Sequence, residues 1–132
     1  MAKSDSFHCS VVTPERAVLE TEATFVALPA YDGELGVLAH RAPLLAKLGA
    51  GALRVEGTGG RQEFFVAGGF AQMVGDRLTL LTEECKPLQD LDRATADRDL
   101  QAALAMPGVG AVAQANRERA LVRARAMQRA AS

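Results

Sequence analysis

The chain has 132 residues, 48% of them hydrophobic and 23% charged, and a net charge of −1, the balance of a soluble globular protein, which excludes wholesale disorder. With no tryptophan and one tyrosine, it has little material for stacking nucleic-acid bases. Its apolar runs, such as the one within residues 109–116, fall well short of the roughly 20 apolar residues that span a bilayer.

Residues 1–6 carry an acid and lead into no apolar segment, so no secretory leader is expected. The length suits a compact domain of about 85 to 90 residues followed by a short helical appendage. Up to about residue 86 the pattern is one of short strand-like runs: Phe7 to Thr13, Ala17 to Glu20, Ala23 to Leu28, Leu53 to Glu56, Glu63 to Ala67, Phe70 to Val74 and Arg77 to Thr82. Runs of this length and spacing predict an antiparallel β-sandwich or barrel. Asp32-Gly33, Thr58-Gly59-Gly60 and Gly75-Asp76 supply turn residues that tolerate positive φ, while Pro14 and Pro29 mark strand ends.

After Lys86-Pro87 the composition shifts to Ala, Leu, Arg and Gln, and the period shifts with it. Asp90 or Asp92 can cap a helix running to about Met106, and Pro107-Gly108-Val109-Gly110 stops it. A second helix fits residues 112–130, with Ala113, Ala120, Ala124, Met127 and Ala131 on one narrow face. The expected fold class is therefore α+β, with a sandwich over residues 1–87 and a two-helix hairpin over residues 88–132. Burying alanines removes little apolar area, so the hairpin is expected to be held weakly and able to detach.

Charge divides along the same boundary. From residue 91 onward seven arginines face four acids, a balance of +3, which leaves −4 for the first 90 residues. Cys9 and Cys85 stand alone, with no nearby second cysteine, and are expected to be free thiols. His8 and His40 are too few to build a zinc site unaided, and no Ser or Cys sits beside a second base as an activated nucleophile would.

Four stretches invite a functional reading. Asp32-Gly33-Glu34-Leu35-Gly36 reads as a hairpin turn with a surface acid, although Leu35 and Val37 suit an interface better than a solvated turn. His40-Arg41-Ala42-Pro43 reads as a loop with a structural histidine. Phe65 to Phe70 contains Gly68-Gly69 but lacks the Gly-Lys-Ser/Thr ending of a phosphate loop and leads into no helix, so the glycines are read as a bend or a close backbone approach. Arg117, Arg119, Arg123, Arg125 and Arg129 recur at helical spacing and read as a basic face. The acidic body and the scarcity of aromatics weigh against nucleic acid as its partner.

Residues 29–45, Gly49 to Val55 and Phe65 to Phe70 together closely resemble the epsilon subunit of F-type ATP synthases, in which His40-Arg41-Ala42-Pro43-Leu44-Leu45 stands in place of the His-Ala-Pro-Leu-Leu element. The resemblance implies a non-catalytic rotor subunit of the central stalk. Its sandwich would bind the gamma subunit and the proteolipid ring, using Glu34, Leu35, His40, Arg41 and Pro43. Its extended helices would enter the catalytic head of alpha and beta subunits and inhibit hydrolysis, with Arg117, Arg119, Arg123, Arg125 and Arg129 meeting acidic segments of beta. It also implies a peripheral position on the cytoplasmic face of a bacterial plasma membrane, reached only through the complex.

Leu91-Asp92-Arg93-Ala94-Thr95-Ala96 occupies the place of the family's ATP-binding motif, and Asp92 and Ala96 match it. Thr95 replaces the motif's arginine, and Lys86 stands where ATP-binding members carry a glutamate. No cofactor is therefore expected, and an ATP site built on Asp92, Arg93, Arg119 and Arg123 remains an alternative. An unrelated sandwich adaptor with a basic tail is the other.

Overall fold

The computed structural model describes residues 5–131; the reading of residues 1–4 as free of a secretory leader, and the last residue of the expected hairpin, lie outside the described residues. Among the described residues ten strands form the body: β1 Phe7–Val12, β2 Ala17–Ala23, β3 Phe25–Ala30, β4 Gly33–Leu38, β5 Leu44–Lys47, β6 Ala50–Gly57, β7 Gly60–Ala67, β8 Phe70–Val74, β9 Arg77–Leu81 and β10 Glu84–Pro87. They pair into two five-stranded sheets, ordered β2-β1-β9-β8-β5 and β10-β7-β6-β3-β4. A 3-10 turn at Leu88–Asp90 leads to two helices, α1 Arg93–Leu104 and α2 Ala111–Ala131.

The expected sandwich and hairpin are present, with one exception to the antiparallel pattern, since β1 and β9 run parallel. Alternation builds the core. Phe7, Cys9 and Val11 of β1 face inward against Met73, Leu78 and Leu80, and against Val26, Leu28, Val37, Leu53, Val55, Phe64 and Val66 of the other sheet. Asp92 is the α1 N-cap, accepting from the Ala94 N–H at 3.2 Å and satisfying a donor that the first helical turn leaves free.

Three strands escape the sequence reading. β4 carries two glycines and buries only Val37, β5 is four residues long, and β10 contains a proline. All three are edge strands, where one side of the ladder is open and the usual apolar alternation is not required.

The helical seam is also broader than expected. Leu121, Ala124, Ala126 and Met127 of α2 are buried, so Leu121 and Ala126 join a face assigned to Ala113, Ala120, Ala124, Met127 and Ala131. The reason lies in β7, where Phe64, Phe65 and Val66 are all buried in succession. Phe64 and Val66 fill the sandwich, whereas Phe65 points outward and packs with Ala96, Ala126 and Met127. A helix lying between another helix and a sheet buries two sides rather than one stripe. Both cysteines are free; burial pushes the Cys9 thiol up to about 12 and the Cys85 thiol up to about 11, away from reactivity.

Candidate functional site

The residues singled out in the first half lie along one side of the sandwich. β4 is the last strand of one sheet and β5 the last of the other. The two are joined by residues 39–43, and Tyr31 N–H donates to the Lys47 carbonyl at 2.8 Å where the far ends meet. Glu34 stands exposed at the start of β4, opposite Pro29, while Leu35 turns partly into the core. Tyr31, Asp32, Glu34, Leu35, Leu44 and Lys47 help line an open cleft of about 620 Å³ there. The Lys47 ammonium lies 4.6 Å from the centre of the Tyr31 ring.

His40, Arg41 and Pro43 are at the other end of that side and are exposed. From Glu34 to Leu38 β4 rises about 3.3 Å per residue, a span of about 13 Å, so Glu34 and His40 lie at opposite ends of the strand and do not form one cluster. His40 adopts φ 65°. Its N–H donates to Asp76 Oδ1 at 3.1 Å, and its Nδ1 lies 3.7 Å from the same oxygen. This contact pins the loop to the β8–β9 turn.

A second surface was not among the stretches singled out in the sequence. On the outer face of the first sheet, Phe70 and Val74 of β8, Leu81 of β9 and Leu45 of β5 are 52%, 54%, 56% and 71% exposed. Phe70 pairs across the ladder with Leu81, and Leu45 pairs with Gln72, which places it diagonal to both Phe70 and Val74. Four large apolar groups clustered in solvent on one sheet face make a patch of the kind that proteins use for binding. The strict alternation of β8 was the available clue, because it leaves two large apolar residues on the face opposite the core.

The hairpin arginines do not share one face. Arg123 lies half-buried between three elements: its Nε and Nη2 donate to Glu84 Oε1 and Oε2 of β10 at 2.6 and 2.7 Å, and its Nη1 donates to Asp99 Oδ2 of α1 at 3.1 Å. Lys86 Nζ completes the group, 3.5 Å from Glu84. Arg117 donates to the Leu104 carbonyl at 3.4 Å and Arg119 to Asn116. Arg125 and Arg129 lie with Gln128 and Arg93 around an open cleft of about 440 Å³.

The four residues of the alternative ATP site are thus separately engaged. Asp92 caps α1 and accepts from Thr95 Oγ1 at 3.1 Å, and Arg93 lies 3.5 Å from Asp97. Arg119 and Arg123 turn elsewhere, and the arginines that the structure brings beside Arg93 are Arg125 and Arg129.

The two-pronged bond from Arg123 holds the Glu84 carboxyl below its ordinary value, against the opposing pull of burial, and Lys86 adds to the effect. The same bond, with Asp99 assisting, raises Arg123. A carboxylate whose folded value is depressed stabilises the fold above its unfolded value and loses that contribution as pH falls through the folded one. The protection of helix amides, their exchange rate taken relative to the intrinsic rate at the same pH, is therefore expected to be flat from pH 7 to about pH 4.5 and to fall below it. Amide exchange over residues 93–131, normalised in this way, measures this; in Glu84→Gln the acid loss of protection should be blunted.

A sandwich with an exposed edge and an exposed apolar face, and a helical hairpin folded over the outer side of one sheet, has the form of a docking module. Residues 6–87 match the ATP synthase delta/epsilon chain β-sandwich domain. Over 125 residues the chain is 45% identical to the ATP synthase epsilon chain of Rhodopirellula baltica, covering 95% of this chain and 98% of that one. It is 37% identical over 101 residues to the epsilon chain of Rhizobium etli, covering 76% and 75%. The chain belongs to the family of ATP synthase epsilon chains, which answers against an unrelated adaptor.

The fold is shared with a chain of the mitochondrial ATP synthase of Euglena gracilis, solved as an OSCP/F1/c-ring assembly, at a TM-score of 0.84 and 23% identity, covering 96% of this chain and 82% of that one. A chain of the central stalk and c-ring of the Tetrahymena thermophila enzyme gives 0.76 at 12% identity, covering 95% and 96%. Among the described residues no helix is long and apolar enough to cross a membrane.

Proposed function

We propose that the chain is a non-catalytic central-stalk subunit of a proton-translocating ATP synthase, joining gamma to the proteolipid ring and restraining ATP hydrolysis through its hairpin. Family membership along 98% of a 45%-identical epsilon chain carries the reading. The edge bearing Glu34, Leu35, His40, Arg41 and Pro43 would meet the ring and the adjoining margin of gamma. The apolar face of Leu45, Phe70, Val74 and Leu81 would bury itself against gamma. In this conformation the hairpin is closed on the sandwich; once extended, the arginines of α2 would face acidic segments of beta, where charge complementarity favours docking.

Residues 1–87 would then form the stalk-binding domain and residues 88–132 the regulatory one, at the cytoplasmic face of a bacterial plasma membrane. ATP binding by the hairpin is a weaker reading, favoured only by the open arginine-lined cleft beside Asp92's helix. Two steps test the proposal. An N-terminally tagged chain should recover gamma, alpha, beta and the proteolipid ring from mildly solubilised membranes. A chain truncated after Pro87 should still assemble, and the assembled enzyme should hydrolyse ATP several-fold faster. Recovery of none of these subunits by a well-folded chain sinks the stalk reading, and unchanged hydrolysis sinks the inhibitory one.

A further inference from the structure

The contacts that hold α2 to the sandwich are of two physical kinds. One is the apolar seam, in which Met127 and Ala126 lie against Phe65, with Ala130 packed alongside. Contacts of this kind are non-directional and tolerate sliding. The other is the Arg123–Glu84 pair, whose two parallel bonds at 2.6 and 2.7 Å hold only at one register and one distance.

Arg123 also reaches Asp99 of α1. The two helices are joined further by Gln128 to Asp97 at 2.7 Å and by Arg117 to the Leu104 carbonyl. α1 is therefore tied to α2 at several points along its length. We propose that Arg123 is a latch, whose bond to Glu84 sets the register and lifetime of the closed hairpin, and whose bond to Asp99 makes α1 and α2 leave the sandwich together.

The charges facing the guanidinium are those of Glu84 and Lys86 on β10 and Asp99 on α1, and with Arg123 itself they sum to zero. The closed state thus satisfies Arg123 from within the chain and needs no external anion there. Side chains that are about one-quarter to two-fifths exposed lie between the limits for surface and buried pairs.

Hydrogen exchange on the full chain at neutral pH tests the latch. Glu84→Gln and Arg123→Ala should each accelerate exchange across residues 93–131 by about ten- to fifty-fold, leaving the strands of the first sheet unchanged. The double variant should be no faster than the faster single one, because both remove the same bond. Arg123→Lys, which keeps the charge and loses the fork, should fall between. Asp99→Asn should speed α1 more than α2.

Unchanged exchange in Glu84→Gln would overturn the latch, as would singles whose effects multiply in the double. Acceleration spread equally through the first sheet would overturn it too, because the pair would then support the sandwich itself. The bearing of the latch on hydrolysis rests on the stalk reading above. Exchange is measured on the chain alone, so latch and stalk reading can fail separately.

Discussion

A chain carrying Phe70→Asp is expected to fold with an unchanged melting temperature and to recover about a hundredth or less of the gamma subunit that the unaltered chain recovers. The two halves of this result come from opposite faces of one strand. β8 buries Ala71 and Met73 while Phe70, Gln72 and Val74 face solvent. A charge at position 70 therefore removes no core contact, and surface substitutions of this kind usually change stability by about 0.5 kcal/mol or less.

At the proposed interface the same charge would sit in the middle of an apolar patch, with Leu81 opposite and Leu45 diagonal to it. Desolvating a carboxylate with no partner, together with losing an aromatic anchor, costs about 3 kcal/mol or more at an interface centre. Leu45→Asp should act in the same direction, whereas Gln72→Ala, between them, should do little. Co-purification read beside thermal unfolding of the isolated chain separates binding from folding. Full recovery of gamma by a folded Phe70→Asp chain would remove this face from the stalk interface.

Gly69→Ala is expected to lower stability by about 3 to 5 kcal/mol, a fall in melting temperature of about 10 to 20 °C. Gly69 has φ 106°, and a Cβ there would stand 1.9 Å from the Leu81 carbonyl oxygen and 2.8 Å from Thr82 Cα. Both obstacles are backbone, so relief requires β8 and β9 to part. The neighbouring Gly68 supplies the control. Its φ is 78°, but the nearest obstacle is Glu83 Oε1 at 3.3 Å, the end of an exposed side chain that can swing away. Gly68→Ala should cost about 1 to 2 kcal/mol, from backbone strain alone. Equal melting temperatures for the two variants would refute the close-approach argument.

The double glycine was legible as a bend or close approach, though which of the two residues meets backbone was not. The sandwich core was legible because β1 and β9 alternate apolar and polar residues with period two over most of their length. The hairpin was legible from the change of period after Pro87 and from Asp90 or Asp92 as a cap, of which the structure uses Asp92. β4, β5 and β10 were hidden because edge strands need neither alternation nor a complete ladder. Three consecutive apolar residues, Phe64 to Val66, carried the one clue that something covers the outer face of β7.

The arginines mark the limit of a linear reading. Helical spacing grouped Arg119 with Arg123 and Arg125 with Arg129, and both pairs keep that spacing on α2. Arg123 instead meets Glu84, 39 residues away, and Asp99, 24 residues away. By itself the sequence determined the fold class, the boundary between strands and helices and the family, and narrowed the helix cap to Asp90 or Asp92, because each depends on local period, composition or motif. Only the tertiary structure decided which arginine is clamped, which sheet face lies bare and which is covered by α2. Those outcomes depend on how the two sheets and the hairpin stack, and stacking brings together side chains that no local spacing relates.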